Sequence, residues 1–397
     1  MRVLQVFKTY YPDSFGGVEQ VIRQIATSGP AYGVTSKVFA PSHFARDVRV
    51  IHEDGVEVIQ VPCTVDVAST PFSVSALGPF REALRWADVV HYHFPWPFAD
   101  ILHALGRPAK PALATYHSDI VRQKVLLQLY KPLQRRFLDS MQAIVATSPN
   151  YVETSPTLQR YKDKVSVIPI GLNESAYPRP DSRRVDAWRG RVGEGFFLFV
   201  GVIRYYKGLH ILLDALGPAT RSTNRNVRVV IVGSGPIESD LRRQAAELKL
   251  DNVQFLGALP EEDKIALLQL CLAVVFPSHL RSEAYGITLV EGAMSGKPLI
   301  SAEIGTGSSF VNIHEKTGLV VPPRDPQALR LAMDRLATHP EEVERMGREA
   351  RRRFETIFTA DRMTLSYADL YQTVCGNARL LDSAGARATK GMSVPRE

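Results

Sequence analysis

The chain of 397 residues is poor in cysteine and has no long apolar run. Its three cysteines, Cys63, Cys271 and Cys375, lie far apart. That spacing excludes a disulfide framework and points to a reducing compartment. No His/Cys cluster shows metal-ligand spacing. No stretch approaches the length needed to span a bilayer. The opening residues, Met1 to Phe7, read as a strand rather than a signal peptide, because the apolar run is short and charge returns at Lys8. No nucleic-acid-binding module is recognisable, although the net charge is +7 and the pI about 9.2. Such a charge suits nucleotide phosphates or anionic lipid. What remains is an ordinary globular composition, 45% hydrophobic and 22% charged, long enough for two or three domains.

Short apolar strands alternate with helical segments, which argues for α/β architecture with parallel sheets. Strands are expected near residues 2–7, 36–40, 88–91, 112–116, 143–147 and 165–168. Helices are expected near 18–28, 75–86, 121–140 and 149–161. The residues Tyr177-Pro178-Arg179-Pro180 and the charged stretch after them read as a linker. The pattern then restarts at Phe196–Val200 and continues through strands near 227–232, 253–256, 273–276, 299–302 and 318–320. Two doubly wound units bind ligands outside the carboxyl ends of their strands, so the site is expected in a cleft between them. The expected boundaries are a first lobe over 1–178, a linker over 179–194, a second lobe over 195–358, a helix over 359–376 and a tail over 379–397. The tail is rich in Ala, Gly, Ser and charge and is expected to be disordered.

Glu283 and Glu291 stand eight apart, the second inside the apolar stretch Gly286–Met294, which ends at Gly296 and Pro298. A carboxylate there needs a partner, because desolvating a charge is costly. Sugar hydroxyls are one partner; a structural cap or ion pair is another. Gly16-Gly17 follow the first strand and open a helix, where backbone N–H groups and the helix N-terminus favour a phosphate. The same pair is also ordinary punctuation, and it is not the dinucleotide G-x-G-x-x-G. His117, in Thr115-Tyr116-His117-Ser118-Asp119, leaves a strand of the first lobe. His91 and His93 also end a strand, and Phe94-Pro95-Trp96-Pro97 beside them makes packing the reading for both. Arg204 and Lys207 lie in Gly201-Val202-Ile203-Arg204-Tyr205-Tyr206-Lys207-Gly208, either as phosphate ligands or as solvated surface charge. The segment 121–140 interleaves Arg122, Lys124, Lys131, Arg135 and Arg136 with apolar residues. It fits an anionic membrane surface, or a helix with one buried face.

The stretch from Ser282 to Gly292 resembles the E-x7-E motif of the retaining family 4 glycosyltransferases. The likeness extends through Phe276-Pro277-Ser278, Gly292-Ala293-Met294-Ser295-Gly296-Lys297-Pro298 and Glu315 to Pro326, and covers roughly residues 1 to 375. It implies the GT-B fold, two Rossmann-like doubly wound lobes facing a central cleft. It implies that Glu283 orients the donor sugar and Glu291 binds the ribose hydroxyls. His117 would contact the sugar near the reacting carbon, and Gly16 and Gly17 the donor pyrophosphate and the acceptor. Arg204 and Lys207 would neutralise the diphosphate, although the family's arginine directly follows the first glycine, where this chain has Val202. Gly233 and the loop Gly257-Ala258-Leu259 would line the nucleotide, and Tyr285, Gly286 and Ile287 would complete the donor site. There is no D-x-D motif, which speaks against metal-dependent GT-A chemistry; no cofactor is implied beyond the substrate nucleotide sugar. No carboxylate stands out as a nucleophile, and similar enzymes react on one face of the sugar, so the resemblance implies that the leaving phosphate takes the acceptor proton.

A narrower likeness, carried by Lys8 to Asp13, Phe15 to Ile22, Gly201 to Gly208 and Ile304 to Asn312, is to bacterial O-antigen mannosyl- and D-rhamnosyltransferases. It implies a GDP-sugar donor and a lipid-diphosphate-linked N-acetyl sugar acceptor. It also implies a cytoplasmic enzyme at the inner face of the inner membrane, with no nucleic-acid partner. A UDP-sugar transferase with another acceptor, and a non-catalytic sugar-nucleotide binder, are the alternatives.

Overall fold

The computed structural model describes all residues except 68, 121–123, 219, 221–226 and 391–397, and only the backbone of 124–127 and 377–390. The chain divides into two compact units. One holds Met1–Ala146, Arg160–Ile168 and Ala360–Glu397; the other holds Thr147–Gln159 and Pro169–Thr359.

The strands of the first unit are β1 (Arg2–Val6), β2 (Thr35–Ser42), β3 (Arg49–Glu53), β4 (Val56–Pro62), β5 (Val65–Val67), β6 (Thr70–Phe72), β7 (Val89–Phe94), β8 (Ala112–Tyr116), β9 (Ala143–Ala146) and β10 (Val165–Val167). Eight form one sheet in the order β10-β9-β8-β7-β1-β2-β4-β3. All neighbours are parallel except β3, which pairs antiparallel with β4, and β5–β6 is a separate antiparallel hairpin. Every residue of β7, β8 and β9 is buried, as in a parallel sheet covered on both faces. From β1 the chain winds outward to β2 and β4, then restarts at β7 and winds the other way. The switch point therefore lies between β1 and β7.

The second unit repeats this logic with β11 (Phe197–Val200), β12 (Val229–Val232), β13 (Val253–Gly257), β14 (Ala273–Phe276), β15 (Leu299–Ala302) and β16 (Gly318–Val321). The six strands are parallel, in the order β13-β12-β11-β14-β15-β16. The switch point here lies between β11 and β14. Its core is built from these strands with Leu209, Leu212, Leu213, Leu329, Met333 and Met346 of the covering helices.

The stretch 179–194 is a folded part of the second unit. It carries the helix Ser182–Val192, capped by Asp181, whose carboxylate accepts the Arg184 N–H at 2.8 Å. Trp188 of this helix is buried and donates to Asp263 at 2.8 Å. Residues 147–159 also belong to the second unit: Asn150 donates to Ser309 at 3.2 Å, and Thr154 to the Gly305 carbonyl at 2.5 Å. The helix expected over 149–161 is two, Pro149–Thr154 and Pro156–Arg160. Proline disfavours helical backbone at the residue before it, and Ser155 is extended. The last helix spans Ala360–Lys390, so the backbone from Arg379 to Lys390, expected as disordered tail, is helical. The helix expected over 121–140 is described from Lys124 to Ser140. The side chains of Arg122 and Lys124 lie outside the described residues. Gln134, Phe137 and Leu138 are buried while Leu129, Arg135 and Arg136 are exposed.

Candidate active site

The second unit gathers most of the candidate residues at the carboxyl ends of its strands. The segment after β11 runs from Gly201 through a short helical turn, Tyr205–Lys207, to Gly208. The segment after β14 runs Pro277-Ser278-His279-Leu280 to Glu283. They face each other across the switch point, and Gly208 lets them approach closely. A Cβ on it would stand 2.0 Å from the Pro277 carbonyl oxygen, and its φ is +74°. The result is a largely buried ion pair between Lys207 Nζ and Glu283 Oε2. The ammonium also lies 4.8 Å from the Phe276 ring centroid and 5.5 Å from that of Tyr206. Ser278 Oγ donates to the same carboxylate oxygen at 3.3 Å.

Glu291 sits in the helix Ile287–Met294, which starts at Gly286, whose φ is +93°. Thr288 Oγ1 donates to the Val200 carbonyl at 3.1 Å, fixing the first turn of that helix against the end of β11. The Glu291 side chain is buried, and Tyr177 OH donates to Oε1 at 3.0 Å. Burial pushes its carboxyl up to about 7, with Lys264, Tyr177 and Lys207 opposing the shift and Glu261 adding to it. The sequence places Tyr177 at the edge of a linker, and no pattern in it marks this residue as a partner of Glu291.

Gly233 and Gly257 complete a floor of backbone beside the ion pair. Gly201 N–H donates to the Val232 carbonyl at 3.0 Å, Ile203 N–H to Ser234 at 2.9 Å, and Gly233 N–H to Gly257 at 2.7 Å. The loops after β11, β12 and β13 are thus tied together without side chains. Leu259 lies half-buried just beyond β13. Tyr285 is buried with its hydroxyl 3.4 Å from the Ile170 carbonyl, and Ile287 is half-buried. Arg204 is exposed, with no side-chain hydrogen bond among the described residues. Of the two candidate phosphate ligands, the structure brings only Lys207 against Glu283.

His117, Gly16 and Gly17 belong to the first unit. Gly16 precedes the helix Gly17–Ser28, whose first turn carries the buried Glu19. That carboxylate accepts Thr9 Oγ1 at 2.8 Å and Ser14 Oγ at 2.6 Å. A Cβ on Gly16 would stand 2.4 Å from Glu19 Oε2, so any side chain there would require the Glu19 carboxylate to move. Glu19 was not singled out in the sequence, since an acidic residue in a first helical turn is common. His117 follows β8, is buried, and is pushed down to about 3 by desolvation. Its Nε2 lies 2.9 Å from His93 Nδ1. Packing alone therefore does not describe His93, nor His91, which bonds Tyr371 OH at 2.8 Å and Thr115 Oγ1 at 2.7 Å.

Residues 15–176 match the model of Glycosyltransferase Family 4, and residues 185–353 match that of Glycosyl transferases group 1. A D-rhamnosyltransferase, WbpZ, of Pseudomonas aeruginosa is 53% identical, over 91% of this chain and 93% of its own. An O-antigen chain mannosyltransferase C of Escherichia coli is also 53% identical, over 94% and 99%. The chain belongs to the family 4 glycosyltransferases. Solved structures agree on the fold. A sucrose-phosphate synthase from Thermosynechococcus elongatus superposes with a TM-score of 0.76 at 22% identity, covering 95% of this chain and 99% of that one. WaaG, a glycosyltransferase involved in lipopolysaccharide biosynthesis, gives 0.65 at 17% identity, covering 93% and 99%. The architecture is GT-B, with two Rossmann-like units, and the protein is an enzyme of the hexosyltransferase class. Among the described residues, no helix is long and apolar enough to cross a membrane.

Proposed function

We propose that this enzyme transfers mannose or D-rhamnose, with retention, from a GDP-sugar to a lipid-diphosphate-linked N-acetyl sugar in O-antigen assembly. The observation that carries the reading is the Lys207–Glu283 pair at the switch point of the second unit. A nucleoside diphosphate leaving the sugar gathers negative charge, and a cation held there lowers the barrier. Lys207 supplies it from the wall of the site, and the exposed Arg204 adds a second cation. Glu283 then holds sugar hydroxyls and orients the donor. Glu291, close to Tyr177, takes the ribose hydroxyls. Neutral His117 supports the sugar by hydrogen bonding. The leaving phosphate accepts the acceptor proton, so no further base is required.

The two relatives that are 53% identical act, by their names, on D-rhamnose and mannose, which supports the donor class. A lipid-borne acceptor agrees with the net charge of +7 and with exposed apolar side chains on the first unit. Phe15, Phe44, Val65, Val67 and Val74 are all more than half exposed there. Arg135, Arg136 and Leu129 on the outer face of the helix Lys124–Ser140 favour contact with an anionic cytoplasmic membrane surface.

The test is transfer from GDP-mannose, GDP-D-rhamnose and UDP-glucose to N-acetylglucosaminyl-diphospho-undecaprenol in EDTA, beside calorimetric binding of GDP and UDP. One of the GDP-sugars should be consumed, and Glu283→Ala should abolish transfer while GDP still binds. Preference for UDP would remove the donor assignment. Near-normal transfer by Glu283→Ala would remove the role given to Glu283.

A further inference from the structure

The buried polar cluster at the switch point of the first unit is continuous. Gln5 lies on β1, His91 and His93 on β7, Thr115 on β8 and His117 just beyond it; Tyr367 and Tyr371 come from the helix Ala360–Lys390. All seven side chains are at least nine-tenths buried. His117 Nε2 meets His93 Nδ1 at 2.9 Å, and His93 Nε2 meets Gln5 Oε1 at 2.9 Å. Gln5 Nε2 donates to Tyr371 OH at 3.3 Å, which lies 2.8 Å from His91 Nδ1. His91 Nε2 lies 2.7 Å from Thr115 Oγ1, itself 2.8 Å from Tyr367 OH. The rings of His93 and His117 lie 19° apart with centroids at 5.2 Å, so the short nitrogen–nitrogen distance is an edge-to-edge hydrogen bond rather than face stacking.

Desolvation keeps both imidazoles neutral, so each carries one proton and one lone pair. Only two proton arrangements satisfy the chain, and they differ by the orientation of the Gln5 amide. With Oε1 toward His93, that ring must donate from Nε2 and accept at Nδ1, and His117 must donate from Nε2. With the amide reversed, every proton reverses. The structure has the first of these: Oε1 faces His93 at 2.9 Å, and the amide nitrogen, with two protons to give, faces Tyr371 OH at 3.3 Å and Ser36 Oγ at 3.5 Å.

We infer that His93, oriented by Gln5, is a positioning residue that fixes the tautomer of His117, with the proton on Nε2 and the lone pair on Nδ1. His117 then meets its ligand as an acceptor. It receives a hydrogen bond from a hydroxyl of the donor hexose and does not offer one to a ring or glycosidic oxygen. The inference rests on the role proposed for His117 and adds the sense of its hydrogen bond. It also gives the final helix a function in the site, because Tyr371 holds the amide that sets the relay.

The full-length enzyme labelled with 15N-histidine tests this by long-range 1H–15N correlation, with the His117 signals assigned through His117→Gln. In the wild type, His117 should show a pyrrole-type Nε2 and a pyridine-type Nδ1. The opposite pattern overturns the relay without any variant having to fold. In His93→Phe the acceptor is lost; His117 should populate both tautomers, and kcat should fall roughly tenfold with little change in donor KM, the scale of one lost hydrogen bond. His93→Gln, which keeps an acceptor oxygen, should recover most of that loss. An unchanged tautomer, or unchanged kcat, in His93→Phe overturns the positioning role. The spectrum is read without turnover, so a wrong donor assignment would leave it as stated, and a wrong tautomer would leave the transferase reading intact.

Discussion

Replacing Glu291 by glutamine should change how stability depends on pH. Its folded carboxyl is raised from 4.5 to about 7, chiefly by burial. Between those values the native state holds a proton that the unfolded chain has released. Stability from this group is therefore complete below about pH 4.5 and is lost as pH rises through about 7. The 2.5-unit difference is worth about 3 kcal/mol, most of it lost between roughly pH 5 and pH 7. Glu291→Gln keeps an oxygen to accept from Tyr177 and does not titrate. Urea denaturation of both proteins across this range should show the variant gaining about 3 kcal/mol relative to wild type on the alkaline side, and near equality on the acid side. Parallel curves would mean that Glu291 is ionised throughout, held by Tyr177 and Lys207 against desolvation, and would refute the reasoning. The same carboxyl links to ligand binding. If ribose hydroxyls donate to it, nucleotide binding draws off its proton. Calorimetry below about pH 7 in buffers of different ionisation enthalpy should then register release of up to one proton.

Two further outcomes concern the second unit. Lys207→Met leaves the Glu283 carboxylate beside Phe276 with Ser278 alone, and should cost about 3 kcal/mol by denaturant titration; adding Glu283→Gln should return most of it. A double variant no more stable than Lys207→Met would show that the lysine acts through packing rather than charge. Gly233→Ala should cost about 3 kcal/mol or more, because its Cβ would stand 2.0 Å from the Gly201 carbonyl at a φ of +132°. Gly257→Ala, with a φ of +72° and no atom within 4 Å of the new Cβ, should cost only about 1 kcal/mol. Equal losses would refute the close approach of the loops.

Most of the parallel strands were legible because they are short, buried apolar runs, and Val229–Val232 or Ala273–Phe276 admits few other readings. Strands β3 and β5 were missed for the opposite reason: their residues are largely exposed and carry no apolar run. Strand β4 was missed although it is mostly buried, because Glu57 and Gln60 interrupt its apolar residues, and the three-residue β6 was missed with it. The stretch 179–194 looked like a linker because it is dominated by charge. What anchors it includes the buried Trp188 and Val192, and the Trp188 indole N–H finds Asp263 75 residues later, a pairing no local pattern encodes.

The site divides along the same line. Family resemblance nominated Lys207, Glu283, Glu291 and His117, but the contacts that give them chemical character arise through space. Lys207 and Glu283 are 76 residues apart, Tyr177 and Glu291 are 114 apart, and Gln5 and Tyr371 are 366 apart. Those contacts alter the argument about function rather than merely locating it. An isolated Lys207 would present a full positive charge to a diphosphate. Held by Glu283, it presents less, and a diphosphate must compete for the ammonium. On the function proposed, that competition is useful. As the phosphate takes up Lys207, the Glu283 carboxylate loses its partner within a buried setting, where an unpaired charge is costly. The hydroxyls of the donor hexose are then the groups that can satisfy it. A free nucleoside diphosphate would draw on Lys207 without offering those hydroxyls. The pair therefore favours the intact nucleotide sugar over the product that must leave.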